Sequence, residues 1–563
     1  MRKIPYGAAN FEDIRIKNAI YVDKTMYIEK LEEDIDREKT IYLRPRRFGK
    51  SLFTSMLTYY YSVDTADKFE KLFKGLYIYD HPTQNKNNYY VLNLNFSGMT
   101  ISEGNIIEEG KDQFYKKVRI AIESFINRYN LNIENEGSTA AEVLENLIVK
   151  FKKLNLPHKL YIIIDEYDNF TNAILKGNGQ DFLDLVQKNG YVKSFYEVIK
   201  QKFEEGVVGR FFATGVMPVT LDNLTSGFNI ATNLSTDAEF TSMIGFTHEE
   251  VKEIVKELVP AEDAEKVHKD LEANYDGYRF SKKSEEKTFN STLVLYYLKE
   301  YIRDHNAPEQ ILDVNMNTSG DKIRRTVELV NREINYPIVK KLVFENEVEG
   351  SLKSVVLDNN YSTDDLITML FHLGYLTIKE PGVKTLFRIP NHITENIYSE
   401  YMLNWLKEQE NYKIETKEIE EGIKELSKTG SIQKVVNIVQ EFLKYCSTRD
   451  KENFSEKMLK HTFAMFLSLS NQFIVYGEYP AGQGFADIFI EKTSVSYSKY
   501  EAVIELKYMS KEKAKEENKE KLLSQGKEQL ARYLEDKRLL QRENLKKYVV
   551  MFIGFEEAIV EEV

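Results

Sequence analysis

The chain has 563 residues, of which 42% are hydrophobic and 29% charged, and it carries a formal net charge of −12 at pH 7. That length predicts about three or four domains with ordinary cores, and the acidic balance excludes nucleic-acid binding by the whole surface while leaving room for a local basic groove. Cys446, the one cysteine, excludes an intrachain disulfide framework, the opening MRKIPYGAANFEDIR has no apolar secretory segment, and the longest apolar runs, 293–298 and 548–553, are too short to span a bilayer, so a soluble, cytoplasmic protein is expected.

From the amino terminus, strand-like and helix-like stretches alternate. Strands are predicted at 40–43, 89–96, 160–164 and 210–214, with a fifth at 240–247. The third, LYIII, is apolar throughout, the pattern of a parallel strand covered on both faces. Helical patterns between the strands predict a doubly wound α/β domain. Thr247, His248, Glu249 and Glu250 have the spacing of a capping box that opens a helix. Residues 281–358 read as mostly helical.

A compact unit follows. Residues 363–372 read as a helix, 375–379 and 386–390 as two strands around the Pro381-Gly382 turn, and 392–406 as a closing helix. The order fits a winged-helix-like module. It equally fits a small packing unit without nucleic-acid contact, because the hairpin tip is not notably basic. Residues 407–424 read as a solvated helix or linker, and a second polar patch lies at 447–453. The last part reads helix (455–469), three strands (473–476, 486–491, 501–506), a long charged helix (511–540) and a strand (547–553).

Two stretches carry chemistry. The first, RPRRFGKS at 44–51, lies between a strand and a helical pattern, as a phosphate-binding loop must. The usual loop is G-x-x-x-x-G-K-[ST], and here Arg44 stands at the first glycine. Gly49 permits a backbone that brings amides together around phosphate. Lys50 is placed to reach the β- and γ-phosphates of ATP, and Ser51 to ligate Mg2+. A basic turn before a helix would show the same three residues. Asp165 and Glu166 end the apolar strand at the crevice where open α/β sheets bind ligands. There Asp165 is placed to hold Mg2+ through water and Glu166 to polarise an attacking water. Thr214, at a third strand end, is placed to sense the γ-phosphate, and the three strand ends together favour an ATP site.

RPRRFGKS, YIIIDEYD, FFATGVMPV, GFTHEEV and YDGYRF, in this order after YVDKT at 21–25, resemble the AAA-ATPase-like family of bacterial and archaeal-type proteins across 1–285. The resemblance implies a P-loop NTPase fold of the additional-strand class, with central strand order 5-1-4-3-2. It also implies that Arg44 is a family trait. Pro45 then fixes the turn that glycine otherwise permits, and Arg46 and Arg47 add charge near the phosphates. Arg210 is a candidate arginine finger, weighed against a salt-bridged surface arginine. The roles of Asp23, Lys24 and the cluster 275–280 stay open, the last including a packed corner of the lid. Residues 286–425 are expected to form a helical, winged-helix-like lid or linker.

The second stretch joins Gly484-Phe485-Ala486-Asp487 to Glu505-Leu506-Lys507. Strand alternation puts Glu505 and Lys507 on one face, with Ile504 and Leu506 turned into a core. Charges avoid buried strands unless paired or bound to metal. Asp487 and Glu505 are candidate ligands for Mg2+ or Mn2+, with Glu456 on the preceding helix as a third. Lys507 is placed to orient water or steady a phosphate transition state. Gln529 and Tyr533, four apart, share a helix face. This order resembles the PD-(D/E)XK nuclease superfamily across 430–563, and implies a metal-dependent nuclease acting on nucleic acid, DNA more than RNA, coupled to the ATP site. Phe485 departs from the related pattern, which often has arginine there. An inactive nuclease-like fold, a nucleotide-switched interaction protein and a signalling ATPase with a purely structural last domain are the competing readings, and the oligomeric state stays open.

Overall fold

The computed structural model describes residues 2–99, 106–169, 190–218, 231–308, 310–311, 319–328, 332–353, 355, 361–409, 416–444, 454–469, 472–482, 484–493 and 496–563. The first sheet is built from β1 (Lys39–Leu43), β2 (Tyr89–Asn95), β3 (Lys159–Asp165), β4 (Val208–Gly215) and β5 (Thr232–Asn233). Every pairing is parallel, and the order β2-β3-β4-β1-β5 is the expected 5-1-4-3-2 read from the other edge. Residues 160–164 are at most 2% exposed, so both faces of β3 are covered and its alternation is lost. The helices Lys50–Tyr61, Ile106–Arg128 and Tyr191–Glu204 pack on this sheet.

The fifth strand is not 240–247. That stretch is turn and bend backbone, with one bridge from Phe246 to Phe289. Phe240, Met243 and Ile244 are buried. However, Gly245 at φ 97° breaks the extended run, and the carbonyls of Phe240 and Thr241 accept from Tyr42 and Arg44 rather than from a neighbouring strand.

Thr247 and Glu250 form the reciprocal capping box of the His248–Leu258 helix. The 281–358 segment is helical over Ser291–Asp304, Ser319–Glu328 and Arg332–Glu345, but it also contributes β6 (Val348–Gly350). β6 joins the expected hairpin of β7 (Thr377–Glu380) and β8 (Thr385–Arg388) in an antiparallel sheet ordered β6-β8-β7. The helices Thr363–Leu373 and His392–Gln409 flank the hairpin. Past them, the Thr416–Thr429 helix buries Ile419, Ile423 and Leu426 against Gln433–Lys444, so this part of the charged stretch is a packed amphipathic helix. The polar patch at 447–453 lies outside the described residues.

The last sheet contains β9 (Phe473–Ala481), β10 (Gly484–Lys492), β11 (Glu501–Met509), β12 (Leu545–Ile553) and β13 (Glu557–Glu562), in the order β13-β12-β11-β10-β9. Only β11 and β12 run parallel within it. The long charged helix expected at 511–540 is three pieces: the turn Lys511–Lys513, the helix Glu516–Tyr533, and Lys537–Leu540 opened by an Asp536 cap. The central strands β10, β11 and β12 are buried on both faces over most of their length. Ile504, Leu506 and Val550 belong to an apolar cluster that reaches back to Phe11, while Val503, Phe489 and Val549 form a smaller one with Leu530 and Tyr533.

Candidate functional site

At the end of β1 the chain enters the 44–49 loop, and Gly49 at φ 104° turns it into the Lys50–Tyr61 helix. Arg44 is 1% exposed. Its Nη1 donates to the carbonyls of Leu43 (2.9 Å) and Ser235 (2.7 Å), and its Nη2 to that of Thr241 (3.1 Å). The guanidinium lies 4.3 Å from the Tyr42 ring centroid and 4.0 Å from that of Phe280. The residue at the usual glycine position is therefore a buried fastener joining β1, the 235–241 turns and the 275–280 corner. Arg46 is exposed and Arg47 half-buried with φ 68°. The carbonyls of Arg46, Arg47 and Phe48 accept from Asn290 Nδ2 (3.3 Å), Thr292 N (3.2 Å) and Ser291 Oγ (2.7 Å). The start of the Ser291–Asp304 helix thus clamps the loop backbone.

Lys50 Nζ donates to the carbonyls of Arg44 and Pro45, both at 2.9 Å. Burial pulls its pKa down to about 8, against the opposing pull of Asp168, Asp165 and Glu166. Burial raises the Asp165 pKa, opposed by a hydrogen bond from the Ser51 side chain. Glu166 takes φ 53°, and its amide donates to Asp165 Oδ1 at 3.1 Å. Its own pKa is raised by burial and by the neighbouring Asp165. Lys50, Ser51, Gly49, Arg46, Arg47 and Glu166 line one cavity of about 1020 Å³. The start of the Ser291–Asp304 helix and residues 373–375, 393–394 and 397 of the hairpin unit line it too.

Two expectations change here. Thr214 is fully buried and its hydroxyl donates to the Tyr42 carbonyl at 2.8 Å. It ties β4 to β1 and does not line the cavity. Arg210 is neither a finger nor a surface ion pair: it is 3% exposed, donates to the Leu31 carbonyl at 2.8 Å and lies over the rings of Tyr61 and Tyr161. Sequence reasoning also missed Asp168, whose Oδ2 accepts from the amides of Val216 (3.0 Å) and Met217 (2.6 Å). A Cβ on Gly215 would come within 2.3 Å of Asp168 Oδ1, so the glycine after Thr214 makes room for that bridge. The signal was present in the fourth residue of the Asp-Glu-Tyr-Asp run.

The residues whose roles stayed open make structural contacts, and Lys24 and Tyr278 also line the cavity. Asp23 accepts from Thr25 and the Tyr77 amide. Lys24 donates to both Glu250 oxygens, at 2.6 and 2.8 Å, and to the Ser242 carbonyl. Tyr278 and Phe280 meet Phe48 of the loop edge-on, at 5.0 and 5.7 Å between ring centroids. Gly277, at φ 98°, lies against Pro390, whose carbonyl oxygen would sit 2.2 Å from an added Cβ. The 275–280 segment is thus a corner packed between the loop and the hairpin unit.

In the last sheet, Asp487 and Glu505 lie across from each other on β10 and β11, which pair Ile488 with Ile504. Asp487 Oδ2 accepts from the Leu506 amide at 2.9 Å, and Glu505 is 2% exposed. Lys507 Nζ sits 2.6 Å from Glu505 Oε1. The other oxygen, Oε2, is buried and accepts no hydrogen bond. Burial, then the charge of Asp487, push the Glu505 pKa up to about 7, against the Lys507 hydrogen bond. Glu456 feels the charges of Lys507 and Asp487, and burial raises its pKa. Tyr533 is raised by burial and by Glu505. Gln529 is half-buried on the same helix, and Phe485 is 63% exposed. Gly526 lets that helix approach: a Cβ there would meet Val549 at 2.7 Å and the Lys507 stem at 3.7 Å.

Sequence reasoning missed Lys460. It stands one turn after Glu456, and its Nζ lies 2.9 Å from Asp487 Oδ1 and 3.4 Å from Glu478. The i,i+4 spacing from Glu456 was the available signal. Asp487 and Glu505 therefore each hold a lysine. The donor set still suits a hard divalent cation, because it is all carboxylate and leaves one buried oxygen of Glu505 without a partner.

Residues 5–225 match the family described as Predicted AAA-ATPase, and residues 454–562 match the PD-(D/E)XK nuclease superfamily. A relative from Azotobacter chroococcum mcd 1, described as an uncharacterized protein in the vnfD 5' region, is 25% identical over 390 residues, 67% of this chain. The matched part is 64% of that relative, less than two thirds of its length. Among solved structures, the ORC1 protein of Aeropyrum pernix in complex with DNA aligns over 69% of this chain and 95% of its own at 11% identity, with a TM-score of 0.29. Cdc6p of Pyrobaculum aerophilum aligns over 65% and 88%, at 11% identity and a TM-score of 0.24. Among the described residues, no helix is long and apolar enough to cross a membrane. Residues 5–225 thus form an AAA-ATPase-like domain and residues 454–562 a domain of the PD-(D/E)XK nuclease superfamily.

Proposed function

We propose that the chain binds and hydrolyses ATP at the 44–51 loop and uses the nucleotide state to govern a metal-dependent nuclease site in the last sheet, acting on nucleic acid, DNA in preference to RNA. The observation that carries the coupling is the shared cavity, in which Lys50 and Glu166 face residues of the hairpin unit. A ligand that touches both walls favours one arrangement of them by its differential contacts. In this reading Lys50 exchanges its two carbonyl partners for the β- and γ-phosphates, and Arg46 and Arg47 add positive charge at the rim. Ser51 and Asp165 would hold Mg2+, and Glu166 would orient the attacking water. Thr214 has no part, because its hydroxyl is committed to Tyr42. Residues 1–285, 286–425 and 430–563 serve as nucleotide, connecting and nuclease units.

At the second site Asp487 and Glu505, with Glu456 beside them, would hold Mg2+ or Mn2+. When bound, such a cation supplies Lewis-acid activation of water and neutralises phosphate charge. Lys507, already 2.6 Å from Glu505, orients water or the scissile phosphate. Lys460, 2.9 Å from Asp487, would have to give up that carboxylate for a cation to be held there. The double lysine pairing also favours a second reading, a nucleotide-switched interaction protein whose nuclease-like domain binds without cutting. Cleavage of single- and double-stranded DNA and RNA with Mg2+ or Mn2+, with and without ATP, separates the two. Equal, trace cleavage by wild type and Asp487→Ala under every condition ends the nuclease reading.

A further inference from the structure

The capping box of the His248–Leu258 helix lies beside the end of the Ala264–Tyr275 helix, and four side chains with metal-ligating atoms gather there. Among the described residues, His248, Glu272 and Asp276 are the one group of three His, Cys, Asp or Glu whose ligand atoms all lie within 4.8 Å of one another. His268, Glu272 and Asp276 follow at intervals of four, along one face of the second helix and its C-cap. The His268 and His248 rings lie 6.2 Å apart between centroids.

The group is not satisfied by its own contacts. His248 Nε2 lies 3.0 Å from Asp276 Oδ2. Asp276 is 6% exposed, yet its Oδ1 is buried without a hydrogen-bond partner. His268 Nε2 is likewise buried and unpartnered. Leaving such atoms bare carries their full desolvation penalty. Among the described residues no lysine or arginine pairs with Glu272 or Asp276, in contrast to Asp487 and Glu505. The backbone is anchored as well, since Asn391 Nδ2 donates to the Asp276 carbonyl at 2.8 Å.

We propose that His248, Glu272 and Asp276, with His268 as the fourth ligand, form a structural site for Zn2+ or a similar transition-metal ion. Two imidazoles with two carboxylates make a borderline donor set that suits zinc, whereas Mg2+ prefers oxygen and water. Ligand atoms on a tetrahedral ion at about 2.0–2.2 Å lie roughly 3.3–3.6 Å apart, so the widest pair of the three has about an ångström to close, and exposed Glu272 can move that far. The ion joins the two helices to the 275–280 corner and so stiffens the wall behind Phe48.

The test uses the full chain carrying Asp487→Ala, so that the carboxy-terminal carboxylates do not contribute. After chelator treatment, Zn2+ is titrated calorimetrically and Co2+ by visible absorption, with and without Glu272→Gln or His248→Gln. The expected result is one tight equivalent of Zn2+, a Co2+ absorption band, and affinity at least about tenfold weaker in both variants. Zn2+ should also raise the thermal midpoint, and Glu272→Gln should abolish that rise. No Zn2+ uptake, or equal stoichiometry and affinity with and without the exposed Glu272 substitution, overturns the proposal.

Discussion

The loop after β1 and the acidic cluster on β10 and β11 hold buried charge in opposite ways. Lys50 rests on two neutral carbonyl oxygens, while Asp165, Glu166 and Asp168 act on it through space. Lys460 and Lys507 instead sit directly on Asp487 and Glu505. Neutral carbonyls are exchangeable partners, so the first arrangement is a cation ready for an incoming anion. Opposite charges in contact offset each other's desolvation, so the second arrangement has to open before its carboxylates hold anything else. In the proposed function the loop is thus the receptacle, whereas the cluster is closed on itself.

The largest expected effects test whether the two regions are chemically separate. Asp487→Ala should reduce metal-dependent cleavage on the order of 100-fold and leave binding of a fluorescent ATP analogue unchanged. Lys50→Ala should weaken that analogue roughly 10- to 150-fold, the value of losing one or more hydrogen bonds to charge at about 1.5–3 kcal/mol, while Mn2+ binding at the cluster persists. A Lys50→Ala protein that binds nucleotide normally removes the loop from the comparison.

A smaller effect separates fastening from binding within the loop. Arg44→Gly restores the usual glycine, yet it deletes three carbonyl contacts and two ring contacts. We expect no gain in nucleotide affinity and a loss of about 2 kcal/mol or more, read as a fall in the thermal midpoint. Tighter nucleotide binding would mean that Arg44 obstructs the loop.

The smallest effect is a pH dependence at the closed cluster. Folding raises the Glu505 pKa from 4.5 to about 7, so the folded chain holds that proton more tightly than the unfolded chain. The stability this provides is full below pH 4.5 and is lost as pH climbs through about 7. Glu505→Gln should therefore raise the metal-free thermal midpoint more at pH 8 than at pH 5. Cation binding displaces the same proton, so wild-type Mn2+ affinity should rise with pH up to about 7 and then level off. A pH-independent difference between the two proteins would show that Lys507 keeps Glu505 charged throughout.

Local pattern was enough to read much of this molecule. The all-apolar run before Asp165 announced a strand covered on both faces. The Thr247–Glu250 spacing announced a helix start, and Pro381-Gly382 announced the hairpin. Gly49 before Lys50 and Ser51, and Glu505 two residues before Lys507, identified where polar chemistry collects. Each of these signals acts within a few residues, where backbone geometry translates spacing into direction.

Tertiary structure alone decided how the polar side chains are used. Thr214 looked free until β1 supplied the Tyr42 carbonyl, and Arg44 departed from the usual loop glycine without a visible partner until Phe280, Ser235 and Thr241 came to surround it. Lys460 became a partner of Asp487 only when its helix packed on β10. The strand at 240–247 failed because burial of Phe240 and Ile244 needs no ladder when distant side chains take up the backbone carbonyls. In each case the deciding partner is remote in the chain. Burial makes an unsatisfied polar group costly, so the satisfying contact comes from whatever the fold brings near, and spacing along the sequence does not name that partner.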